Sequence, residues 1–422
     1  MESRRGWPYD TTDPWERAIL DDPDIAFHGE NGNWFFYRPG QLVVDPAALR
    51  PTDPRNEYEA GNHREAAALL KELGARPVTG DAPSRAEATR KHGTRSKQSD
   101  AATAKRLGLE LVEVHDDGDL PEHVRRLRAK APNSVSLNHV LIADQHRVGG
   151  CGPAAVAPRP GDVPGRDIAL GAGIRIAVID TGLDESLDIA VAGALDQEVP
   201  DSQPDKILDP AAGHGTFVTG IIRRFAPGAE VMVHRALLGP AGVASDLEVA
   251  EALLEVGDVD LINCSFGGAS QDDAPPLVIA KALAKLDPKT VVVCAAGNQD
   301  ESRPHWPGAF KGVYAVGSVV KCEKTGTWCG ADYSNYGWWV DASAPGSDVV
   351  STFLEFKEEA GTLRNFEHGA LWSGTSFATP KVVAAIAQLA AKDDITASEA
   401  AYRLIDSPGV ERLANLGALI EL

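Results

Sequence analysis

Residues 174–182 read Ile-Arg-Ile-Ala-Val-Ile-Asp-Thr-Gly, a largely apolar run that ends in an acidic residue and a turn. An apolar run of this length, bounded by turn residues, is typical of a strand that is buried on both faces. We therefore predict a strand over 174–179 with Asp180 at its carboxyl end. Ligand sites in open parallel sheets form beyond the carboxyl ends of the strands, so Asp180 is a candidate site residue.

The same pattern recurs through the second part of the chain. Further buried strands are predicted over 231–237, 261–264, 291–295 and 313–319. Helices are predicted over 214–224, 245–256, 275–286 and 375–392. Continuous apolar strands that alternate with helices favour a mainly parallel sheet with helices on both faces, so the expected fold class is α/β.

Three more chemically capable residues lie at strand ends or helix starts of this unit: His214, Asn298 and Ser376. Each of them, like Asp180, has an ordinary structural explanation as a cap, a turn residue or a buried polar group. Together they are the residue types of an acyl-transfer triad with its oxyanion donor. A serine hydroxyl needs a base to become a good nucleophile, an imidazole supplies that base, and a carboxylate orients the imidazole.

The sequences around these residues resemble those of the subtilisin-like serine proteases. The matching stretches are IAVIDTG at Asp180, GHGTFVTG at His214, NCSFGG at Cys264, AAGN at Asn298 and SGTSFATP at Ser376. Their order along the chain is that of the family, and the resemblance covers about 170–400. It implies Ser376 as nucleophile, His214 as general base and then acid, Asp180 as the residue that orients His214, and Asn298 with the Ser376 backbone N–H as oxyanion donors.

The resemblance also implies a groove in which a protein or peptide substrate binds as an extended strand between two edges. The residues implied for the edges and for the first side-chain pocket are Gly242, Val243 and Ala244, then Ser265, Phe266 and Gly267, and finally Ala295, Ala296 and Gly297. Trp306-Pro307-Gly308 is implied for the rim of that pocket. Secreted members carry a calcium-binding loop near 219–231. This chain has no acidic loop there, so we expect no metal at that place and no cofactor.

The composition of the chain predicts four segments. These are an irregular arm over 1–33, a small α+β domain over 34–147, a Gly/Pro-rich linker over 148–173 and the peptidase domain over 174–422. Within the second segment, strands are predicted over 34–37 and 41–44 around a Pro39-Gly40 turn, with helices over 59–73 and 120–131 and strands over 107–115 and 134–143. The basic stretch 84–106 is predicted to be a loop, either simply solvated or sensitive to proteases or ligands.

The element pattern of 34–143 is similar to that of the propeptide that blocks the groove of many subtilisin-like proteases until it is cleaved. This implies an inhibitory N-terminal domain whose segment from about 138 to 147 lies in the groove. A permanently attached sensor or recruitment domain is the alternative. For the whole chain, a binding or scaffold module that has lost catalysis is also conceivable, but the intact Asp180, His214, Asn298 and Ser376 argue against it.

The charge and the cysteines limit the partners and the compartment. The 41 basic and 61 acidic residues give a net charge of −20, which disfavours nucleic acid as a main partner. Residues 166–422 carry −17 of that charge. This excess indicates either a solvated surface or an acidic groove that attracts basic ligands. The chain has no apolar run of membrane-spanning or signal-peptide length, so we expect a cytoplasmic protein without membrane contact, with secretion by a route that leaves no such signal as the alternative. In that setting we expect Cys322 and Cys329 to be free thiols rather than a pair, and Cys264 and Cys294 to be buried.

Overall fold

The computed structural model describes residues 14–30, 33–50, 56–79, 96–115, 119–143, 152–157, 165–184, 187, 197–322, 324–361 and 363–422. The helices are α1 Pro14–Leu20, α2 Glu57–Glu72, α3 Lys97–Arg106, α4 Leu120–Lys130, α5 His214–Phe225, α6 Asp246–Glu255, α7 Leu277–Leu283, α8 Thr375–Asp393 and α9 Ala397–Ala401. The strands are β1 Ala26–Glu30, β2 Asn33–Val44, β3 Arg76–Pro77, β4 Glu110–Glu113, β5 Val135–Ala143, β6 Ala154–Ala155, β7 Arg175–Asp180, β8 Glu230–Arg235, β9 Val243–Ser245, β10 Leu261–Cys264, β11 Phe266–Gly267, β12 Val291–Ala295, β13 Val313–Lys321, β14 Trp328–Gly330, β15 Ala342–Pro345, β16 Val349–Lys357, β17 Asn365–Trp372, β18 Arg412–Leu413 and β19 Gly417–Leu419.

A nine-stranded sheet forms the centre of the second part of the chain. Its order is β18-β19-β15-β13-β12-β10-β7-β8, and β14 pairs with β13. All neighbours from β8 to β19 run parallel. Ile176 and Val178 of β7 pack towards α5 and α8, whereas Ala177 and Ile179 pack towards α6 and α7. The predicted α/β class, with helices on both faces of a mainly parallel sheet, is confirmed.

A second sheet belongs mostly to the N-terminal part. Its order is β11-β5-β2-β4-β3, with β1 paired to β2 and β9 paired to β5. Helices α2 and α4 cover one face, where Ala66 and Leu127 pack on Leu42 and Leu137. Because β9 and β11 come from the second part of the chain, this sheet joins the two parts through β5.

The predicted Pro39-Gly40 turn is wrong. Residues 33–44 form the single strand β2, and its pairing with β5 shifts register between Tyr37 and Leu42. Gly40 has a φ of +67°, which a glycine adopts without steric cost. Pro39 and Gly40 lie within this register shift, which is a bulge inside one strand, so the chain does not reverse direction there.

The loop predicted over 84–106 is wrong for its second half. Residues 97–106 form α3, whose first turn is capped by the Ser96 hydroxyl accepting a hydrogen bond from the Ser99 N–H. The buried face of this helix consists of Ser99, Asp100, Thr103 and Ala104. These side chains are small or polar, so a search for large apolar residues does not detect the face. Residues 84–95 lie outside the described part of the chain.

The arm and the linker also contain regular structure that the sequence did not indicate. Helix α1 and strand β1 lie within the segment expected to be irregular, and the Trp15 indole N–H donates to the Ala241 carbonyl at 2.9 Å. In the predicted linker, β6 pairs with β17. Both departures arise from tertiary contacts, which give a short segment a partner that its own sequence does not reveal.

One of the two predictions about the cysteines is wrong and the other is confirmed. Cys322 and Cys329 form a disulfide between the end of β13 and β14, so the expectation of free thiols is wrong for this pair. Cys264 and Cys294 lie opposite each other in the parallel pair β10 and β12, and both are buried with free thiols, as expected.

Candidate active site

Asp180 and His214 form a buried pair at the carboxyl end of the central sheet. Asp180 ends β7 and His214 begins α5, and the Asp180 Oδ1 and His214 Nδ1 atoms are 2.7 Å apart. Both side chains are fully buried. A carboxylate only accepts hydrogen bonds, so the imidazole proton lies on Nδ1 and the lone pair is left on Nε2. Nε2 has no hydrogen-bond partner among the described residues.

The glycine before His214 sets the start of the helix. Gly213 has a φ of +79°, and a Cβ added to it would lie 2.3 Å from the Phe353 ring. Behind the imidazole stand the rings of Trp372 and Phe377, with centroids 5.6 and 5.4 Å from that of His214. This apolar wall restricts the imidazole to the orientation that Asp180 favours.

Ser376 is the second residue of α8 and is bound reciprocally to Ser265. The Ser376 hydroxyl donates to the Ser265 carbonyl at 3.0 Å, and the Ser265 hydroxyl donates to the Ser376 carbonyl at 2.8 Å. The Ser376 hydroxyl is not hydrogen-bonded to His214 Nε2. In the absence of substrate, catalytic hydrogen bonds are often long or poorly aligned, and they tighten when substrate binds.

Asn298 lies beside the start of α8 with its amide in a defined orientation. Its Oδ1 accepts hydrogen bonds from the Thr375 backbone N–H at 2.8 Å and from the Thr375 hydroxyl at 2.9 Å. The backbone N–H only donates, so the amide oxygen must face it. The Asn298 Nδ2 is therefore directed away, buried and without a hydrogen-bond partner among the described residues.

The two edges implied for the groove are occupied by the N-terminal part. Ile142 of β5 pairs with Val243 of β9 on one side and with Gly267 of β11 on the other, both antiparallel. The Ala143 N–H donates to the Gly242 carbonyl at 2.9 Å. Strand β5 thus lies between the same two segments that the sequence indicates for an extended substrate.

Comparison with known proteins decides the family. A sequence model of the Subtilase family matches residues 171–414, more than half of the chain. The chain belongs to the subtilase family. It is 33% identical over 243 residues to a thermophilic serine proteinase of Bacillus sp. (strain AK1), a match that covers 54% of each chain. Thermitase of Thermoactinomyces vulgaris is 32% identical over 247 residues, which cover 55% of this chain and 80% of thermitase.

The chain spans about half the length of the first of these relatives. The major intracellular serine protease of Bacillus subtilis (strain 168) is 30% identical over 51% of this chain and 68% of its own length. Among solved structures, fervidolysin of Fervidobacterium pennivorans superposes with a TM-score of 0.56 at 19% identity. That superposition covers 94% of this chain and 61% of fervidolysin, and it supports the subtilisin-like fold.

The segment that the sequence implies for the first pocket of this subtilase lies next to a residue that the sequence motifs did not single out. Ala295 ends β12, the Ala296 N–H donates to the Val316 carbonyl of β13, and the Gly297 N–H donates to the Thr375 hydroxyl at the start of α8. The ring of His305 lies against Gly267 and Gly297, since a Cβ on either would come within 2.4 or 3.0 Å of the imidazole. Gly267 is required by this close approach, whereas Gly297 is required by its φ of +103° and by the Asn335 amide, which would lie 2.3 Å from a Cβ there. His305 is buried and precedes Trp306, whose backbone pairs with Gly268.

Two threonines of the site were also missed. Thr375 orients the Asn298 amide, and Thr181 donates its N–H to the Asp180 Oδ1 at 2.8 Å. Both are neighbours of residues that the motifs identify, but their contacts exist only in the folded chain.

Among the described residues, no group of three or more His, Cys, Asp or Glu side chains is placed to hold a metal ion. No helix in the described ranges is long and apolar enough to cross a membrane.

Proposed function

We propose that this subtilase is a serine endopeptidase whose catalytic residues are Ser376, His214 and Asp180. The observation that carries the proposal is the 2.7 Å bond from His214 Nδ1 to Asp180, which leaves the Nε2 lone pair available on a buried imidazole. His214 Nε2 accepts the Ser376 hydroxyl proton while Ser376 Oγ attacks the peptide carbonyl. The imidazolium then gives this proton to the leaving amine, and Asp180 stabilises the cation in between.

The oxyanion is stabilised by Asn298 and by the backbone N–H of Ser376. Two hydrogen bonds from Thr375 hold the Asn298 amide, so its Nδ2 donors are fixed before the reaction starts. Donors that are already oriented where charge develops lower the barrier without reorganising during the step.

Peptide hydrolysis by matched serine variants tests the proposal. Ser376→Ala removes the nucleophile, whereas Ser373→Ala removes a nearby serine whose hydroxyl accepts a hydrogen bond from Asp348. We expect the first variant to lose hydrolysis of a mixed peptide library and the second to retain it. Equal hydrolysis by Ser376→Ala and the wild type would contradict the assignment, and no hydrolysis by any of the three, even after the N-terminal part has been clipped, would favour a catalytically inactive scaffold.

We further propose that the N-terminal part inhibits the peptidase until it is cleaved. The support is the position of β5, which hydrogen-bonds to both β9 and β11. An extended substrate needs the same backbone groups, so β5 and a substrate exclude each other. Since Ala143 pairs with Phe266, next to Ser265, we place the cleavage site soon after Ala143 rather than late in the segment 144–170.

A denaturing gel of the wild type and Ser376→Ala tests self-cleavage. The wild type is expected to lose its 44.7 kDa band as activity appears, while Ser376→Ala keeps it. If the active wild type stays at full length, self-cleavage is wrong and the sensor or recruitment domain is the better interpretation.

The cytoplasmic location stays a prediction, in keeping with relatives that are named intracellular serine proteases.

A further inference from the structure

A second acidic side chain lies behind the Asp180–His214 pair and has no part in the proposed mechanism. Glu198 is 6% exposed, and its Oε2 accepts a hydrogen bond from the Thr181 hydroxyl at 3.0 Å. The Glu198 N–H donates to the Leu183 carbonyl at 2.9 Å, which holds this segment against the chain that follows β7. Glu198 is therefore built into the support of the site rather than into the groove.

The Thr181 hydroxyl links Glu198 to α5, the helix that begins at His214. A hydroxyl has a single proton, and here that proton is donated to Glu198, so a lone pair is available on the other side. This lone pair accepts the Gly215 N–H at 2.9 Å. The cap residue Gly213 has no side chain to satisfy the first N–H groups of α5, and Thr181 takes over that task.

The charge of Glu198 also acts on the pair. Burial, together with the nearby Asp180 carboxylate, raises the pKa of Glu198 to about 7 against the lowering effects of the Thr181 hydroxyl, the Gly213 backbone and His214. Within the described ranges, the charged groups that act on Glu198 are thus Asp180 and His214, and Arg235 donates to the adjacent Gln197 carbonyl. An ionised Glu198 favours the protonated form of His214.

We propose that Glu198 is a positioning residue of the catalytic pair, which fixes the start of α5 through Thr181 and adds a negative charge that stabilises the His214 cation. This inference rests on the proposed function, because it gives Glu198 a task in proton transfer. The same contacts exist whether or not the chain hydrolyses peptides, so they can be tested without activity.

The test is an NMR titration of the His214 imidazole in the full chain carrying Ser376→Ala, which prevents self-cleavage. Glu198→Gln keeps an acceptor for Thr181 but removes the charge, and we expect the His214 imidazole to titrate at lower pH than in the parent chain. In the active protein, the acidic limb of the kcat/KM profile should move to lower pH by the same amount. Asp209→Asn is the matched control, since Asp209 is a buried carboxylate of the same segment that hydrogen-bonds to Ser202.

An unchanged His214 titration in Glu198→Gln, or an equal shift in Asp209→Asn, would overturn the proposal. Failure of the wild type to cleave peptides would sink the proposed function and leave the titration result standing. If Glu198→Gln does not fold, Thr181→Ser and Thr181→Val test the same contacts. We expect the serine variant to keep the low-field Nδ1–H signal of His214 and the valine variant to lose it, and equal spectra would also overturn the proposal.

Discussion

The Asn298 side-chain oxygen accepts two hydrogen bonds from Thr375, at 2.8 Å from the backbone N–H and at 2.9 Å from the hydroxyl. The Thr375 hydroxyl in turn accepts the Gly297 N–H at 3.1 Å. This small network joins the end of β12 to the start of α8. It gives the Asn298 amide one orientation, and Ser376 is the next residue after Thr375.

The first prediction concerns the Asn298 amide. Asn298→Asp keeps an oxygen for Thr375 but removes the Nδ2 donor, and Asn298→Ala removes both. We expect both variants to lose about 10²–10³-fold in kcat, the loss that follows removal of one oxyanion donor in subtilisin, with little change in KM. Peptide hydrolysis under saturating substrate measures it, and a kcat within a few-fold of wild type would show that Asn298 is not an oxyanion donor.

The second prediction concerns Ile142, the residue of β5 that lies between the two edges. Ile142 is 4% exposed and packs in an apolar cluster with Ile19, Val140 and Val243. Ile142→Asp buries an unpaired charge there, which destabilises docking of β5. We expect the uncleaved chain to hydrolyse a short peptide faster than the wild type does.

Tyr58→Asp is the control for that experiment, because Tyr58 is 80% exposed on α2 of the same N-terminal part. It should leave the rate of the uncleaved chain unchanged. If Ile142→Asp behaves like this control, β5 does not inhibit the peptidase.

The third prediction concerns the ion pair that joins β2 to α6. Arg38 Nη2 lies 3.1 Å from Glu248 Oε2, and the two side chains are 7% and 2% exposed. Arg38→Ala leaves Glu248 buried without its guanidinium, which should destabilise the chain by about 3–5 kcal/mol. Urea unfolding in the Ser376→Ala background measures the free energy without interference from cleavage.

The exposed pair Lys206–Glu359 provides the comparison, with side chains 66% and 60% exposed. Lys206→Ala should cost much less than Arg38→Ala, because water screens a surface pair. Equal losses in the two variants would mean that the buried pair adds nothing to the docking of the N-terminal part.

The fourth prediction is a pH dependence of stability. Burial raises the pKa of Asp341 from 3.8 to about 6, although its carboxylate accepts the Ala315 N–H at 2.9 Å. Between these two values the folded state binds more protons than the unfolded state, so this group makes stability fall as pH rises from about 4 to 6. Asp341→Asn removes the buried charge.

We therefore expect Asp341→Asn to be more stable than the wild type at pH 7, by about 1 kcal/mol or more, and to differ little at pH 4. Thermal unfolding at both pH values measures the difference. A variant that is less stable at pH 7 would show that the Ala315 contact outweighs the cost of burying the charge.

Much of the central sheet was predictable because both of its faces are covered. Such strands appear in the sequence as continuous apolar runs, and β10 and β12 were predicted with the bounds that the structure has. Helix α3 was not predicted, because its buried face is made of small and polar residues. Strand β6 was missed since its only regular partner is β17, far away along the chain.

The candidate site likewise contains residues that the sequence indicates and residues that it does not. Asp180, His214, Asn298 and Ser376 each carry local motifs that can be recognised before folding, and their catalytic roles stay predictions until they are tested. Glu198 and His305 carry no such signal. Glu198 reaches the site through Thr181 and the Gly213 backbone, and His305 lies beside it because Gly267 leaves room for the imidazole. Contacts of this kind depend on the tertiary structure, so the sequence alone does not indicate them.

The most direct test of the central claim is covalent labelling by a fluorophosphonate probe, which reacts with an activated serine. Intact mass and peptide mapping should show a single label on Ser376 in the processed wild type, and none in Ser376→Ala or in wild type unfolded before labelling. Absence of label on Ser376, even after the N-terminal part has been removed by limited proteolysis, would contradict the assignment of Ser376, His214 and Asp180 as a working catalytic triad.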